Sequence, residues 1–337
     1  MPEVRVNEGA RAPGVREVAA AAGVSRQTVS RVLNDHPSIR PETRARVLAA
    51  MADLDFRPNR AARMLTTARS RTIGVLAASA SSLFGPASSI DAVENAGRAA
   101  GYTVTVAHAA SLDPADLQAA IGHLREQAVE GIVVIAPQQR VQDAMGQFSL
   151  SLPSVTLHGA GGASDEGVFV DQELGARLAT RHLLAAGHRR VAHLSGPGDW
   201  TEARARRDGF LAEMAVAGAD AVVSREGDWT AASGAAIGAE LVADRSIQAV
   251  FASNDQLALG VLHAARVAGR SVPGDLAVVG FDDIPEAAFF APPLTTVRQE
   301  FAELGRRCVA RLVALLEGGD LAFEEPVAPV LVVRDSA

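Results

Sequence analysis

At 337 residues with 48% hydrophobic and 21% charged side chains, the chain is too long for one average domain and can bury a full core, which excludes disorder and collagen-like structure. Its formal net charge of −7, taken whole, argues against a nucleic-acid binder. No run of about 18 apolar residues is present, the N-terminus lacks a charged-then-apolar leader pattern, and the single cysteine, Cys308, excludes an intrachain disulfide and suits a reducing cytoplasm.

The charge is uneven, starting with the first elements. Residues 1–71 hold thirteen of the 32 basic residues, all arginine, against seven acids (Glu3, Glu8, Glu17, Asp35, Glu42, Asp53 and Asp55), which leaves +6. The rest of the chain therefore carries −13. A basic head on an acidic body is the asymmetry of a small nucleic-acid module fused to a larger domain, although a solvated basic tail gives the same count. Within the head, Val15–Ala22 predicts a short alanine-rich helix stopped by Gly23. Ser25 predicts the cap of a second helix running from Arg26 to Asn34. Val29, Val32 and Leu33 fall on its inner face, and Gln27, Ser30, Arg31 and Asn34 on the other, at spacings of three and four. A helix, a tight turn and a second helix with a polar face form a helix-turn-helix, whose second helix enters the major groove. An ordinary three-helix bundle with a solvated face has the same spacing. After Pro41 a third helix is expected, with Val47, Leu48, Met51 and Leu54 closing the bundle.

From Thr72 onward short apolar runs alternate with helical stretches. The expected strands are Ile73–Ala77, Tyr102–Ala107, Ile132–Ile135, Ser154–Leu157, Arg190–Leu194, Ala249–Ala252 and Leu276–Gly280. That alternation predicts βαβ units and parallel sheets. About 265 residues exceed one compact core of this type, so two lobes are expected. In such sheets ligands bind beyond the carboxyl ends of strands and between lobes. Polar residues gather at such ends: Asn254 and Asp255 after Phe251-Ala252-Ser253, and Asp282 and Asp283 after Gly280-Phe281. Arg206 lies in a helix that follows Gly196-Pro197, and Trp229 opens another. Carboxylates accept from sugar hydroxyls, guanidinium donates, amides do both and an aromatic face covers a pyranose ring. Singly these residues have structural uses, since Asn254 and Asp282 can cap helices and Trp229 can be core. Together they predict a polar ligand site.

Catalytic patterns are weak. Gly159-Ala160-Gly161-Gly162-Ala163-Ser164 matches half of a dinucleotide fingerprint but lacks the last glycine and opens no clear helix. No nucleophile elbow or P-loop is present. His188 and His193, five apart around a strand start, make a poor metal pair. Neither metal nor cofactor is expected, and no enzymatic activity.

The head also carries a specific resemblance. Val18-Ala19, Ala22-Gly23-Val24-Ser25, Thr28-Val29-Ser30-Arg31-Val32-Leu33-Asn34, Thr43-Arg44 and Arg57-Pro58-Asn59 resemble, in order, the DNA-binding headpiece of the LacI/GalR family of bacterial repressors. The resemblance implies an all-α helix-turn-helix headpiece over residues 1–58 and a hinge helix and linker over 59–71. It further implies an α/β two-lobed, periplasmic-binding-protein-like core over 72–337, with lobe 1 at 72–170 and 299–326 and lobe 2 at 171–298 and 327–337. Arg26, Gln27 and Arg31 would read bases, while Ser25, Thr28, Ser30 and Asn34 would mainly hold phosphates, in keeping with their chemistry. Asn59 opens the hinge segment, which is too short to be stable alone in water and would order with DNA and a partner chain. Leu65 would wedge into the minor groove.

The resemblance extends over the body through Arg225-Glu226-Gly227-Asp228-Trp229, Ser253-Asn254-Asp255-Gln256-Leu257-Ala258-Leu259-Gly260, Val278-Val279-Gly280-Phe281-Asp282-Asp283 and Pro292-Pro293-Leu294-Thr295-Thr296-Val297-Arg298-Gln299, and is stronger to lac-type than to purine-type members. It implies a sugar cleft lined by Arg206, Trp229, Asn254, Asp282 and Gln299, with Phe301 and Ser79 flanking it. His158 stands where lac-type members have a cleft aspartate, and Ile135 where they have an asparagine, so the exact sugar is open; galactosides and their β-linked relatives are the first candidates. The chain ends at Ala337, after a strand-like Val327–Val333, without the leucine-heptad helix that makes tetramers in lac-type members. A homodimer on a pseudo-palindromic operator is therefore expected. The implied function is a cytoplasmic, nucleoid-associated repressor controlled by a small sugar. Family members that use a corepressor or activate transcription are the alternative, and a sugar-binding protein or enzyme without a DNA role is a more distant one.

Overall fold

The computed structural model describes residues 13–33, 36–56, 69–78, 83–148, 150–157, 167–319 and 325–337. The chain divides into two compact units, Met1–Ser70 and Arg71–Ala337.

The first unit contains α1 (Val15–Ala22), α2 (Arg26–Leu33) and α3 (Pro41–Asp53). α1 stops at Gly23, which takes the left-handed conformation (φ 65°) open to a residue without Cβ and returns its N–H to the carbonyls of Ala19 and Ala20. At the start of α2 the Ser25 hydroxyl accepts from the Thr28 N–H at 3.1 Å, the bond of an N-cap. Pro41 occupies the first turn of α3, where its missing N–H costs nothing. The core is built from Val18, Ala19, Ala22, Val29, Val32, Val47, Ala50 and Phe56. Met51 and Leu54 pack against it as expected, but Leu48 is 51% exposed and does not close the bundle. Val47, Ala50 and Leu54 already form one stripe at helical spacing, and Leu48 lies about 100° away from Val47 around the axis. Phe56, returned beneath the helix by its N–H bond to the Met51 carbonyl, fills that end.

The second unit has two α/β lobes. In lobe 1, β1 (Thr72–Ala77), β2 (Thr103–His108), β3 (Gly131–Ile135), β4 (Ser154–Leu157) and β5 (Gly167–Val168) form a parallel sheet in the order β2-β1-β3-β4-β5. α4 (Phe84–Ala99), α5 (Pro114–Glu126), α6 (Gln139–Gly146) and α11 (Phe301–Leu316) accompany it. In lobe 2, β6 (Arg190–Leu194), β7 (Asp220–Val223), β8 (Ala249–Ala252) and β9 (Ala277–Val279) form a second parallel sheet, order β7-β6-β8-β9. α7 (Gln172–Ala185), α8 (Thr201–Val216), α9 (Ala231–Ala243) and α10 (Asp255–Val267) cover it, and β10 (Thr296–Arg298) pairs antiparallel with β11 (Val330–Val332). Each sheet has apolar clusters on both faces, so the central strands are buried apolar runs.

Among the described residues the chain passes between lobes at 169–171, 299–300 and 325–329. Two of these passages are tied together: Val327 N–H bonds the Phe169 carbonyl and Asp171 N–H the Val327 carbonyl, both at 2.9 Å. No helix among the described residues is long and apolar enough to cross a membrane.

Candidate functional site

On the head, α2 turns Val29 and Val32 inward and leaves Ser25, Arg26, Gln27 and Arg31 exposed, with Thr28 and Ser30 half-buried beside them. The Ser25 and Thr28 hydroxyls lie 2.9 Å apart. Two guanidinium groups, an amide and hydroxyls thus share one face, and Asn34, Asn59 and Leu65 lie outside the described residues.

Between the lobes of the second unit lies a cavity of about 290 Å³. Its polar lining includes Arg206 from α8, Asn254 and Gln256 at the start of α10, Asp282 beyond β9 and Gln299 in a passage between lobes. Four buried side chains form a closed ring. Arg206 Nε donates to Gln172 Oε1 at 2.9 Å, Gln172 Nε2 to Gln299 Oε1 at 2.8 Å, and Gln299 Nε2 to Asp282 Oδ1 at 2.6 Å. The same Asp282 oxygen lies 3.6 Å from Arg206 Nη2. A third nitrogen of Arg206 donates to the Ser253 carbonyl, and its guanidinium stacks on the Phe281 ring 3.8 Å from the centroid. Burial lowers the Arg206 pKa, and the charges of Asp282, Glu202 and Asp255 oppose that shift.

Local structure explains why these side chains are held so firmly. Asn254 caps α10, its Oδ1 accepting from Leu257 N–H at 2.8 Å, while its Nδ2 donates to the Trp229 carbonyl at 3.2 Å and to Gln256 Oε1 at 2.9 Å. Trp229 and Asp282 both take positive φ, 72° and 110°, unusual for residues with a Cβ and typical of backbone held in place at a site. The Trp229 ring fits because Gly196 has no side chain: a Cβ there would stand 2.4 Å from it. Among the described residues the buried Trp229 Nε1 has no hydrogen-bond partner, which leaves a donor for a ligand oxygen. The neighbouring acids divide their work. Asp282 lines the cavity, whereas Asp283 is tied to Arg298 at 2.7 Å and Arg334 at 2.6 Å. Asp255 is buried beneath, accepting from Thr296 Oγ1 and from Ile284 N–H at 2.8 Å; burial first and the Asp282 charge second push its carboxyl well above the usual range.

Of the residues expected in the cleft, Arg206, Trp229, Asn254, Asp282 and Gln299 line this cavity. Phe301 stands behind it, edge-on to the lining residue Phe84 with centroids 5.9 Å apart. Ser79 and His158 lie outside the described residues, and Ile135 is fully buried in the lobe 1 core. Sequence reasoning missed Gln172, Glu202, Trp200 and Phe84. Gln172 carried no signal, since its partner is 127 positions away. Trp200 carried one, being one of two tryptophans in the chain. Among the described residues no cluster of three or more His, Cys, Asp or Glu could hold a metal ion.

A helix-turn-helix head and a two-lobed core with a polar interlobe cavity together define a ligand-responsive DNA-binding regulator. The comparisons with known proteins agree, and the chain belongs to the LacI family of bacterial regulatory proteins. Residues 15–59 match the family described as bacterial regulatory proteins, lacI family, and residues 180–337 the periplasmic binding protein-like domain. The lactose operon repressor of Escherichia coli (strain K12) is 34% identical over 321 residues, 94% of this chain and 88% of that protein. The structure of the lac repressor dimer bound to operator and the anti-inducer ONPF superposes with a TM-score of 0.81 at 32% identity, covering 97% of this chain and 99% of the other. That of the transcriptional regulator CelR–cellobiose complex does so with 0.68 at 30% identity, covering 96% and 100%.

Proposed function

We propose that this protein is a transcriptional repressor that binds a pseudo-palindromic operator as a homodimer and is controlled by a small sugar held between the core lobes. One observation carries the coupling of sugar to DNA. The polar ring beside the cavity is anchored in lobe 2 by Arg206, Asp282 and Gln172 at the start of α7, and in a passage between lobes by Gln299. A ligand that takes over those bonds changes the relative stability of two lobe arrangements, which is what an effector must do to shift binding at a second site. The exposed face of α2, with Arg26, Gln27 and Arg31, supplies base-reading chemistry, and the hydroxyls of Ser25, Thr28 and Ser30 suit phosphates. The dimer of a relative on its operator supports the assembly, and the sugar named with another supports the ligand class. The relatives are regulators, which supports a binding role over catalysis, and action on the chromosome in the cytoplasm.

The test is a fluorescence-anisotropy titration of operator DNA, selected from a random pool with the full-length protein, with and without sugars shown to bind. Weakened operator binding in the presence of a sugar is expected. Operator affinity unmoved by every sugar that binds would sink the proposal, and a sugar that tightens binding would make it a corepressor.

A further inference from the structure

Two helices of the core lack side-chain caps of their own and are capped from across the lobes. Resting on the sugar reading above, we propose that residues 137–140 of lobe 1 and 199–204 of lobe 2 form a clasp that holds the sugar-free arrangement and opens when sugar binds.

The first N–H groups of a helix have no partner within it and must find one outside. α6 follows Gln138 and α8 follows Trp200, and neither of these residues gives its helix a side-chain cap. Each helix takes a carbonyl from the other lobe instead. Gln139 N–H bonds the Asp199 carbonyl at 2.9 Å and Thr201 N–H the Pro137 carbonyl at 3.0 Å, so that Gln138 and Trp200 form an antiparallel bridge. Side chains reinforce the exchange. Thr201 Oγ1 donates to the same Pro137 carbonyl at 3.2 Å, Arg204 Nη2 to Gln139 Oε1 at 2.7 Å, and Arg140 pairs with Asp199 at 2.9 Å. The clasp thus joins the loops beyond the carboxyl ends of β3 and β6, one strand from each sheet.

Closure also carries a cost. Gln138 is buried and its Oε1 has no partner among the described residues, and a buried acceptor left unmade opposes the bonds gained. The exposed Arg140–Asp199 pair adds little to the favourable side. Opposed contributions of similar size leave a balance that a ligand can tip.

The same turns of α8 face the ligand. Trp200, Glu202 and Arg206 line the cavity, while Thr201 and Arg204, interleaved with them, hold lobe 1. With the clasp closed, Arg206 is bonded within the polar ring to Gln172 and lies close to Asp282. A sugar hydroxyl that displaces those bonds shifts α8, and the rigid helix carries Thr201 and Arg204 away from Pro137 and Gln139. The closed clasp and the self-bonded ring belong to one state, and the sugar-bound protein to the other.

Linkage makes this measurable. A sugar that must open the clasp binds more weakly in proportion to the closed population, so a weaker clasp means tighter sugar binding. A side chain needed only for the shape of the site has the opposite effect when removed. Both tryptophans of the chain line the cavity, so intrinsic emission of the full-length protein reports occupancy without a label, with calorimetry as a second readout. We would titrate cellobiose, lactose and nitrophenyl galactoside into the native sequence, Thr201→Val, Gln139→Ala and Arg204→Met. Each variant removes one bond across the lobes and should tighten sugar binding about fivefold, the worth of one hydrogen bond, and operator release should move to lower sugar concentration in step. Gln139→Ala combined with Arg204→Met should add nothing further, since both cut the same bond. Thr201→Val nearly preserves shape, which keeps a folded protein available if the other variants fail to fold. Sugar affinity that is unchanged, or weakened in a folded variant, overturns this inference and leaves the sugar reading intact. No carbohydrate binding by the native sequence overturns both.

Discussion

Arg206 shows how one side chain can hold a site together. It reaches Gln172, Ser253, Asp282 and the Phe281 ring at once, in a geometry that uses the planar fork of guanidinium. Arg206→Lys keeps the charge but cannot make those contacts together; it should reduce the operator response to sugar at least about tenfold while operator binding through the head persists. A fully inducible Arg206→Lys protein, followed by anisotropy, would remove the residue from the cleft. Beneath Arg206 lies a second polar chain. His193 Nδ1 donates to the Phe251 carbonyl at 3.1 Å, and its Nε2 lies 3.2 Å from Ser253 Oγ, which accepts from Gly196 N–H. Burial lowers the His193 pKa from 6.5 to about 3, outweighing the hydrogen bond to Phe251 that raises it. Between those values the unfolded chain takes up a proton that the folded one refuses, so stability present at neutral pH is lost as pH falls below 6.5. The contribution should be about 2 kcal/mol between pH 7 and pH 5. Urea unfolding at the two pH values should show that loss in the native sequence and much less of it in His193→Gln; equal losses would place the titration elsewhere.

At the scale of elements, the start of α10 does two jobs with one residue, and they can be separated. Asn254 Oδ1 caps the helix while Nδ2 holds the Trp229 carbonyl and Gln256. Asn254→Asp retains a cap acceptor but loses the amide donor, so the melting temperature should hold while sugar affinity falls. Asn254→Ala should lose both, with about 1 kcal/mol of stability. If the two variants melt alike, the cap is not what stabilises α10. Asn254 is also legible for a physical reason: it follows Ala249–Ala252, a parallel strand buried on both faces, and such strands read as unbroken apolar runs that mark their own ends. Gly131–Ile135, buried throughout, shows the same pattern. β5, β7 and β10 do not. They are two to four residues long, and β7 is a partly exposed edge strand opening on Asp220, so nothing in their composition stands out from a loop. Helix faces carry a subtler ambiguity, as Leu48 shows: an apolar residue one step off the buried stripe looks like core until the neighbouring elements are placed. The polar ring is hidden for another reason. Its glutamines stand 127 positions apart, one at the start of α7 and one in a passage between lobes, and only the fold brings them to 2.8 Å.

Over the whole molecule, the charge split becomes functional. The net −7 that argues against DNA averages +6 on residues 1–71 with −13 on the remainder. Binding to a polyanion releases counterions in proportion to the phosphates neutralised, so the basic head should give operator affinity a steep dependence on salt, whereas an uncharged ligand in the acidic core should bind almost independently of it. With six to ten phosphate contacts per dimer, operator affinity should fall roughly 10³- to 10⁵-fold between 50 and 200 mM salt, and sugar affinity, read by tryptophan emission, should stay flat. Arg31→Ala separates the parts of the head. As a base-reading contact its loss should cost about 1–3 kcal/mol on operator and much less on random DNA, leaving the salt slope nearly unchanged. As a phosphate contact it would weaken both DNAs alike and reduce the slope by about one. The two results are exclusive, so one set of titrations decides whether the exposed guanidinium of α2 reads sequence or only charge.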